Sequence, residues 1–368
     1  MWTADDAPAA AVPPSPQPPR PAGARALEAR VRPVLLPALR RLWRDRETLQ
    51  LGRPPGPAAV LVGVDPATRA ALALLDGTRD AAQVVREASV LGCPPDRTSG
   101  LLSLLDEAGL LSDAAAPTGL DRLPRAERDR LAADVADLRL GRGDATGSAL
   151  QRRRGARVRV VGAGRVGAPL AALLAASGLG AVDVDDAGLA RPVDTGPGGL
   201  LLADLGRPRG DAIRGRLREL APSLDISPGP AGFVVLAPPD GVTGTTDAGA
   251  VGGAHLLAEV RDGTGVVGPL VVPGASACLH CLELTRSDLD PDWPALATQL
   301  SAPAEAVGSG VLAVAVAAQA AAQVLAVVDG WPAPAALDGT LELRPPDWRW
   351  RRRSWQPHPD CGCVRLAG

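Results

Sequence analysis

The apolar positions of the chain follow two periods, one of about two residues and one of about 3.6. In the first hundred residues the shorter period marks Thr48-Leu-Gln-Leu-Gly52 and Ala59-Val-Leu-Val-Gly-Val64, which predict two short strands around a Gly/Pro turn at Gly52 to Gly56. Three helical segments follow. Asp65-Pro66 opens the first, as an N-cap and a first-position proline, and Gly77 closes it. The second runs from Asp80 to Val90 and ends near Gly92; Pro95 starts the third, where Leu101, Leu102, Leu104, Leu105 and Leu110 form the apolar face. An Arg/Asp-rich helical segment, Ala126 to Leu140, precedes a β-branched strand at Arg157-Val-Arg-Val-Val161, a helix from Pro169 to Ala176 closed by Gly178, and a second strand at Ala181 to Val184. Val311 to Val328 is the most apolar long segment. It is mostly Ala and carries Gln319 and Gln323, so it predicts a buried amphipathic helix rather than a membrane span. Near the end, Trp348-Arg349-Trp350-Arg351-Arg352-Arg353 alternates in a way that fits an edge strand with Trp inward and Arg outward. A nucleic-acid grip through stacking and charge is the weaker reading of the same run.

These elements predict an α/β chain of 368 residues with two domains. Residues 25–113 read as a small winged-helix-like α+β domain, 114–125 as a linker, 126–345 as a Rossmann-like domain, and 346–368 as a C-terminal strand and tether. Residues 1–24, rich in Pro and Ala, read as a disordered tail without the basic start and apolar stretch of a signal peptide.

Composition narrows the chemistry. A net charge of −2 gives no global reason to expect nucleic acid or an anionic membrane as a partner. The chain has no Lys and no Asn, which excludes an intact Walker A loop. The expected location is the cytoplasm, where five cysteines point to metal or catalysis before disulfides.

Two constellations carry chemistry. Gly162-Ala-Gly-Arg-Val-Gly167 stands between a strand and a helix, where glycines let backbone approach phosphates and the helix end offers free N–H donors. Gly162, Gly164 and Gly167 are therefore candidate cofactor contacts. Asp185 and Asp186, at the end of the second strand, are candidates for ribose hydroxyls, with two surface acids as the plainer reading. The second constellation is Cys278-Leu-His-Cys281 with Cys361-Gly-Cys363, two thiol pairs suited to a closed tetrahedral structural zinc. A redox CxxC is disfavoured because Cys278 is not expected to open a helix in a thioredoxin-like βαβ unit. His280 and His358 are expected beside the ligands or in solvent, and Cys93 reads as an ordinary small residue.

The stretch "VRVVGAGRVGAPLAALLAASGLGAVDVDD…ADLGRPR", with "FVVLAPPD" at Phe233 to Asp240 and "GPLVVPGASACLHC" at Gly268 to Cys281, resembles the ThiF/MoeB/HesA superfamily, which includes ubiquitin-activating enzymes. That resemblance implies a ThiF-type nucleotide-binding fold with zinc, and Asp240 where the family holds magnesium near the phosphates. It implies adenylation of a carboxylate with ATP and Mg2+, and a homodimer. The sequence departs from the pattern at the catalytic groups. The family's "NLxRQ" stretch reads Val193-Asp-Thr-Gly-Pro-Gly-Gly199, with Asp194 for the Asn and no counterpart to the Arg. The family's Lys becomes Arg209, whose planar fork does not replace a point charge cleanly. Arg209 and Asp240 remain as catalytic candidates, with Arg165 of the loop beside them.

The N-terminal pattern "LWRDRETLQLG…DPATRAALALLDGTRDAAQVV…LLSLLDEAGLL" resembles the PqqD-like leader-peptide-recognition domains found with ThiF-like domains in azole/azoline (TOMM) peptide maturation; a generic winged helix used for packing stays open beside it. The two resemblances together imply a protein that binds a precursor leader peptide and docks it to a YcaO-like partner, with a degenerate adenylation site. The other expectation is an active ATP-dependent adenylyltransferase acting on a peptide or small carrier protein. A NAD-dependent oxidoreductase would not explain the cysteine pairs.

Overall fold

The computed structural model describes residues 32–363 apart from 55, 57, 117–118, 143–146, 240–250, 301–307 and 332, so the expected N-terminal tail and Asp240 lie outside the described residues. By internal contacts the chain divides into two compact units, 1–117 with 136–146, and 118–135 with 147–368. The helix α4 (Arg125–Arg142) is shared between them rather than belonging wholly to the second.

The smaller unit is α+β. Strands β2 (Arg41–Trp43), β3 (Leu49–Gly52) and β4 (Ala58–Leu61) form an antiparallel sheet in that order, and β1 (Pro33–Leu35) pairs with β5 (Leu111–Asp113). Helices α1 (Pro66–Ala73), α2 (Ala81–Val90) and α3 (Pro95–Glu107) lie where the pattern predicts them. Their starts have local causes. The Asp65 carboxylate accepts from the Thr68 N–H at 2.7 Å, and that bond leads the lowering of its pKa to about 2. Asp80 and Gln83 close a reciprocal capping box. Leu49, Leu51 and Leu61 point from the sheet into a core with Leu72, Leu75, Val84, Leu102 and Leu105. Strands β1, β2 and β5 have three residues each, too short for a period-two pattern to mark them.

The larger unit is built on one seven-stranded sheet in the order β12-β11-β10-β9-β8-β6-β7. Strands β6 (Arg157–Val161), β7 (Ala181–Asp185), β8 (Phe233–Leu236) and β9 (His255–Arg261) are parallel. Strands β10 (Thr264–Val271), β11 (Gly339–Arg344) and β12 (Arg349–Ser354) continue the sheet antiparallel. Val158, Val160, Val182, Val184, Val235 and Leu256 turn one face toward helices α6 (Gly167–Ala176), α7 (Arg209–Leu220) and Gly310–Val328. By length and composition Gly310–Val328 could cross a membrane, with mean hydropathy 2.2. Instead Leu312, Val316, Ala320 and Val324 are buried in this core, and Gln323 accepts the Ala336 N–H at 2.9 Å. The short helix α5 (Ser148–Gly155), which the apolar pattern does not mark, leads into β6; its Arg153 makes a buried pair with Asp329 at 2.8 Å.

Candidate nucleotide site and metal centre

The glycine-rich loop lies at the carboxyl end of β6, where open α/β sheets take ligands. Its glycines are required by neighbouring protein atoms. Gly162 has φ +96°, and a Cβ there would lie 2.1 Å from the Ala237 carbonyl oxygen. At Gly164 a Cβ would lie 2.8 Å from Cβ of Pro239 and 3.7 Å from Oδ1 of Asp194. Gly167 starts the helix α6.

The two candidate acids have different surroundings. Asp185 is exposed at the tip of β7, and its backbone carbonyl accepts from the Gly162 N–H at 2.9 Å. Asp186 points inward. Its Oδ2 accepts from the Ala163 N–H of the loop at 2.7 Å, and its Oδ1 from the Gly188 N–H at 2.8 Å. Asp186 thus braces the glycine loop from below.

Arg209, the first residue of α7, completes a chain of charges. Its Nε donates to Asp186 at 2.8 Å and its Nη2 to the same carboxylate at 3.2 Å, while Nη1 donates to Asp194 at 3.1 Å. The side chains of Arg209, Asp186 and Asp194 are 7%, 5% and 1% exposed. Asp194 is held a second time by Arg191, through Nε at 3.1 Å and Nη2 at 3.0 Å. Burial by itself would raise the Asp194 carboxyl, but the bonds from Arg191 and Arg209 outweigh it and hold its pKa below the usual value. Burial likewise opposes the Arg209 charge, and Asp186 and Asp194 more than offset that. The guanidinium of Arg209, the residue that the resemblance sets where the family has Lys, is therefore turned to two buried carboxylates. Arg191 is a member of this group that the pattern reading missed; its signal was the i, i+3 spacing to Asp194. Arg165 also faces protein, since its Nη1 donates to the Gly308 carbonyl at 2.7 Å, next to the start of the helix Gly310–Val328.

The four cysteines converge. The Sγ atoms of Cys278, Cys281, Cys361 and Cys363 all lie within 4.8 Å of one another, and none is in a disulfide. Cys278–Cys281 is 3.7 Å, Cys278–Cys361 3.6 Å and Cys281–Cys363 3.4 Å. A tetrahedral four-thiolate ion with bonds of about 2.3 Å needs edges of about 3.8 Å, so the set fits a metal ion with no position left open. Burial pushes the Cys361 thiol up to about 11 and raises Cys363 as well, with the neighbouring thiols adding to it. Cys278 is the N-cap of the helix α8 (Leu279–Leu289), against the expectation that it opens no helix. A thioredoxin-like unit is still missing, because the flanking strands β10 and β11 are antiparallel. His280 is exposed. His358 is buried and uses both ring nitrogens, Nε2 with Asp288 at 2.8 Å and Nδ1 with the Asp360 N–H at 3.1 Å, so it positions the ligand turn. Cys93 is buried in a small cluster with Ala71 and Ala88.

One expectation is corrected next to this centre. Trp348 to Arg353 does form an edge strand, but not with its tryptophans inward. All six residues of β12 are exposed, and Trp348 stands in the preceding turn at φ +53°. Among the described residues the buried tryptophan is Trp355, whose Nε1 donates to Thr340 Oγ1 at 3.1 Å.

Residues 141–248 match the ThiF family model, and the chain carries a ThiF family domain there. No curated protein matches the chain. Among solved structures it is similar to the microcin C7 biosynthetic enzyme MccB in complex with N-formylated MccA, at 14% identity and TM-score 0.67, over 90% of this chain and 99% of that one. E. coli MccB with ATP matches with the same identity, TM-score and coverage. PaaA, as the selenomethionine protein, matches at 18% identity and TM-score 0.64, over 86% of this chain and 98% of its own. At these identities the likeness establishes the fold, which is shared along nearly the whole chain.

Proposed function

We propose that this chain is a ThiF-type protein of ribosomal peptide maturation whose nucleotide site has lost its free cation. In this reading the N-terminal unit holds the leader segment of a precursor peptide, and the α/β unit presents the peptide to a partner modifying enzyme, of YcaO-like type. Strands β2 and β4 each have one side unpaired within their sheet, and Leu42 and Trp43 are 39% and 47% exposed, which suits strand addition. Zinc, bound by Cys278, Cys281, Cys361 and Cys363, ties the C-terminal turn to α8 and has a structural role. The fold likeness to MccB, whose structure holds the peptide MccA, supports a peptide as partner.

The observation that carries the degenerate site is Arg209, committed to Asp186 and Asp194. A group that stabilises phosphoryl charge must be free to face it. The second reading, an active adenylyltransferase, draws on the intact glycine loop, the exposed Asp185 and the likeness to MccB with ATP. Calorimetry of the zinc-loaded protein with Mg-ATP, and pyrophosphate exchange with a candidate precursor encoded beside the gene, separates the two. The expected result is no ATP binding at millimolar concentration and micromolar binding of the leader peptide. Micromolar ATP binding with precursor-dependent exchange would instead establish the adenylyltransferase.

A further inference from the structure

We infer that β12 is a docking edge for an extended acidic segment of a partner protein, which adds to the sheet as an eighth strand. Among the described residues β12 is the outer strand, paired on one side only, with β11. All six of its residues are exposed, and four of them are arginine. The opposite edge of the same sheet, β7, is buried at four of its five positions. Charged residues often guard an edge strand against pairing. Guarding does not call for aromatics, yet Trp348 and Trp350 are 43% and 37% exposed in the same run, and Trp with Arg is the pair most enriched at the energetic centres of interfaces.

The pleat sorts the arginines. Arg349, Arg351 and Arg353 lie opposite Arg344, Glu342 and Thr340, on one face. Trp350 and Arg352 lie opposite Leu343 and Leu341, on the other face. Alternate residues of a strand are about 6.8 Å apart, so the first three guanidiniums form a row with that repeat. Their charge is only partly met within the chain. Arg351 pairs with Asp347, and Arg353 is 3.5 Å from Glu342. Asp347 is shared, since the Arg349 charge acts on it as well as that of Arg351, and Arg352 donates to the Ala335 and Leu337 carbonyls, which carry no net charge. An added strand with acids at alternate positions would bring a carboxylate opposite each of the three arginines, at cross-strand distances of about 5 Å between Cβ atoms. Five strand spacings separate β12 from β6 and its glycine loop, roughly 24 Å. That span is about seven residues of extended chain, so a segment seated on this edge does not itself enter the loop.

The test uses the full-length, zinc-loaded protein and fluorescein-labelled probes followed by anisotropy. The probes are Glu-Val-Glu-Val-Glu-Val-Glu, a block isomer Glu-Glu-Glu-Val-Val-Val-Glu, and a short single-stranded deoxythymidine oligonucleotide. The alternating peptide is expected to bind at least tenfold tighter than either alternative. The triple variant Arg349→Gln, Arg351→Gln, Arg353→Gln should weaken it tenfold or more, while Arg352→Gln, on the other face, changes it less than threefold. Circular dichroism and zinc content confirm that the variants are folded. Equal binding of the two peptides would reduce the edge to a patch of charge and overturn strand addition; tighter binding of the oligonucleotide, or no binding of the alternating peptide, would overturn the acidic partner. A wild-type dimer that the triple variant converts to monomer in sedimentation velocity would assign the edge to a second copy of the chain, and would also overturn the proposal.

Discussion

Arg209→Met removes the cation between Asp186 and Asp194 while keeping most of the side-chain volume. The two carboxylates are 5% and 1% exposed, so solvent cannot replace the lost charge. Breaking one partner out of a buried ion pair costs about 3–5 kcal/mol. Both acids keep other donors, Ala163 and Gly188 for Asp186 and Arg191 for Asp194, which puts the cost near the lower limit, about 3 kcal/mol. For a unit of this size each kcal/mol moves Tm by roughly 2–4 °C, so the variant should melt about 6–12 °C below the wild type. Arg209→Lys restores the charge without the fork and should recover about half of that loss. Combined with Asp194→Asn, the Met variant should lose less than the sum of the single changes, with a coupling of about 1–3 kcal/mol.

The same network predicts a pH dependence. The folded Asp194 carboxyl lies below its ordinary value of 3.8, so its contribution is present above about pH 4 and is lost as pH falls through the folded pKa. Arg209→Met should therefore bring acid unfolding to a higher pH. Differential scanning calorimetry with an acid titration of both proteins measures all of this. A Tm loss under 2 °C, or an unchanged acid midpoint, would show that Arg209 is no brace. Loss of Mg-ATP binding at unchanged stability would make it a ligand cation.

Three further outcomes follow from the geometry. The purified protein should carry one zinc per chain, and replacement by cobalt should give the intense thiolate-to-metal bands of a tetrahedral site; Cys361→Ser should remove them and expose the C-terminal segment to protease, whereas Cys93→Ala should leave metal content unchanged. Gly164→Ala places a Cβ 2.8 Å from Cβ of Pro239, a ring that cannot rotate away, and should cost about 1–3 kcal/mol in urea unfolding. Arg153→Met removes the Nε and Nη2 donors that Asp329, 1% exposed, accepts from, and should destabilise the protein by about 3 kcal/mol.

What the sequence made legible follows from how local each signal is. The strand at Arg157–Val161, the glycine loop and the helix behind it are written in contiguous residues, and their positions agree with the structure to within two residues. The helix starts at Asp65 and Asp80 are set by single capping side chains, so they too can be read from sequence. The convergence of Cys278 and Cys281 with Cys361 and Cys363 could be inferred across about 80 residues because few arrangements explain two thiol pairs. The three-residue strands could not be, since their pairing is decided by tertiary partners. The burial of the tryptophans was misread for a related reason. Alternation shows which residues share a face of β12, but not that neither face of an outermost strand is covered.

The glycines of the loop are required by packing as well as by any ligand. In a dinucleotide site the second glycine leaves room for the backbone to approach the pyrophosphate. Here the space beside Gly164 is taken by Pro239, with the Asp194 carboxylate 3.7 Å from where a Cβ would stand. Gly162 is fixed by the Ala237 carbonyl, which a side chain would meet at 2.1 Å. Substitution at either position would disturb the packing of β8 against the loop whether or not a nucleotide ever binds. The cations have no such protection from the fold, because a phosphate-facing Lys or Asn contributes to catalysis and not to the core. The adenylation chemistry can thus be lost residue by residue while GxGxxG stays intact, and a buried carboxylate can then capture the remaining arginine. Under the proposed function, that order of events gives the combination in this chain: a loop kept by packing, an Asp at 194, and an Arg at 209 turned inward to meet it.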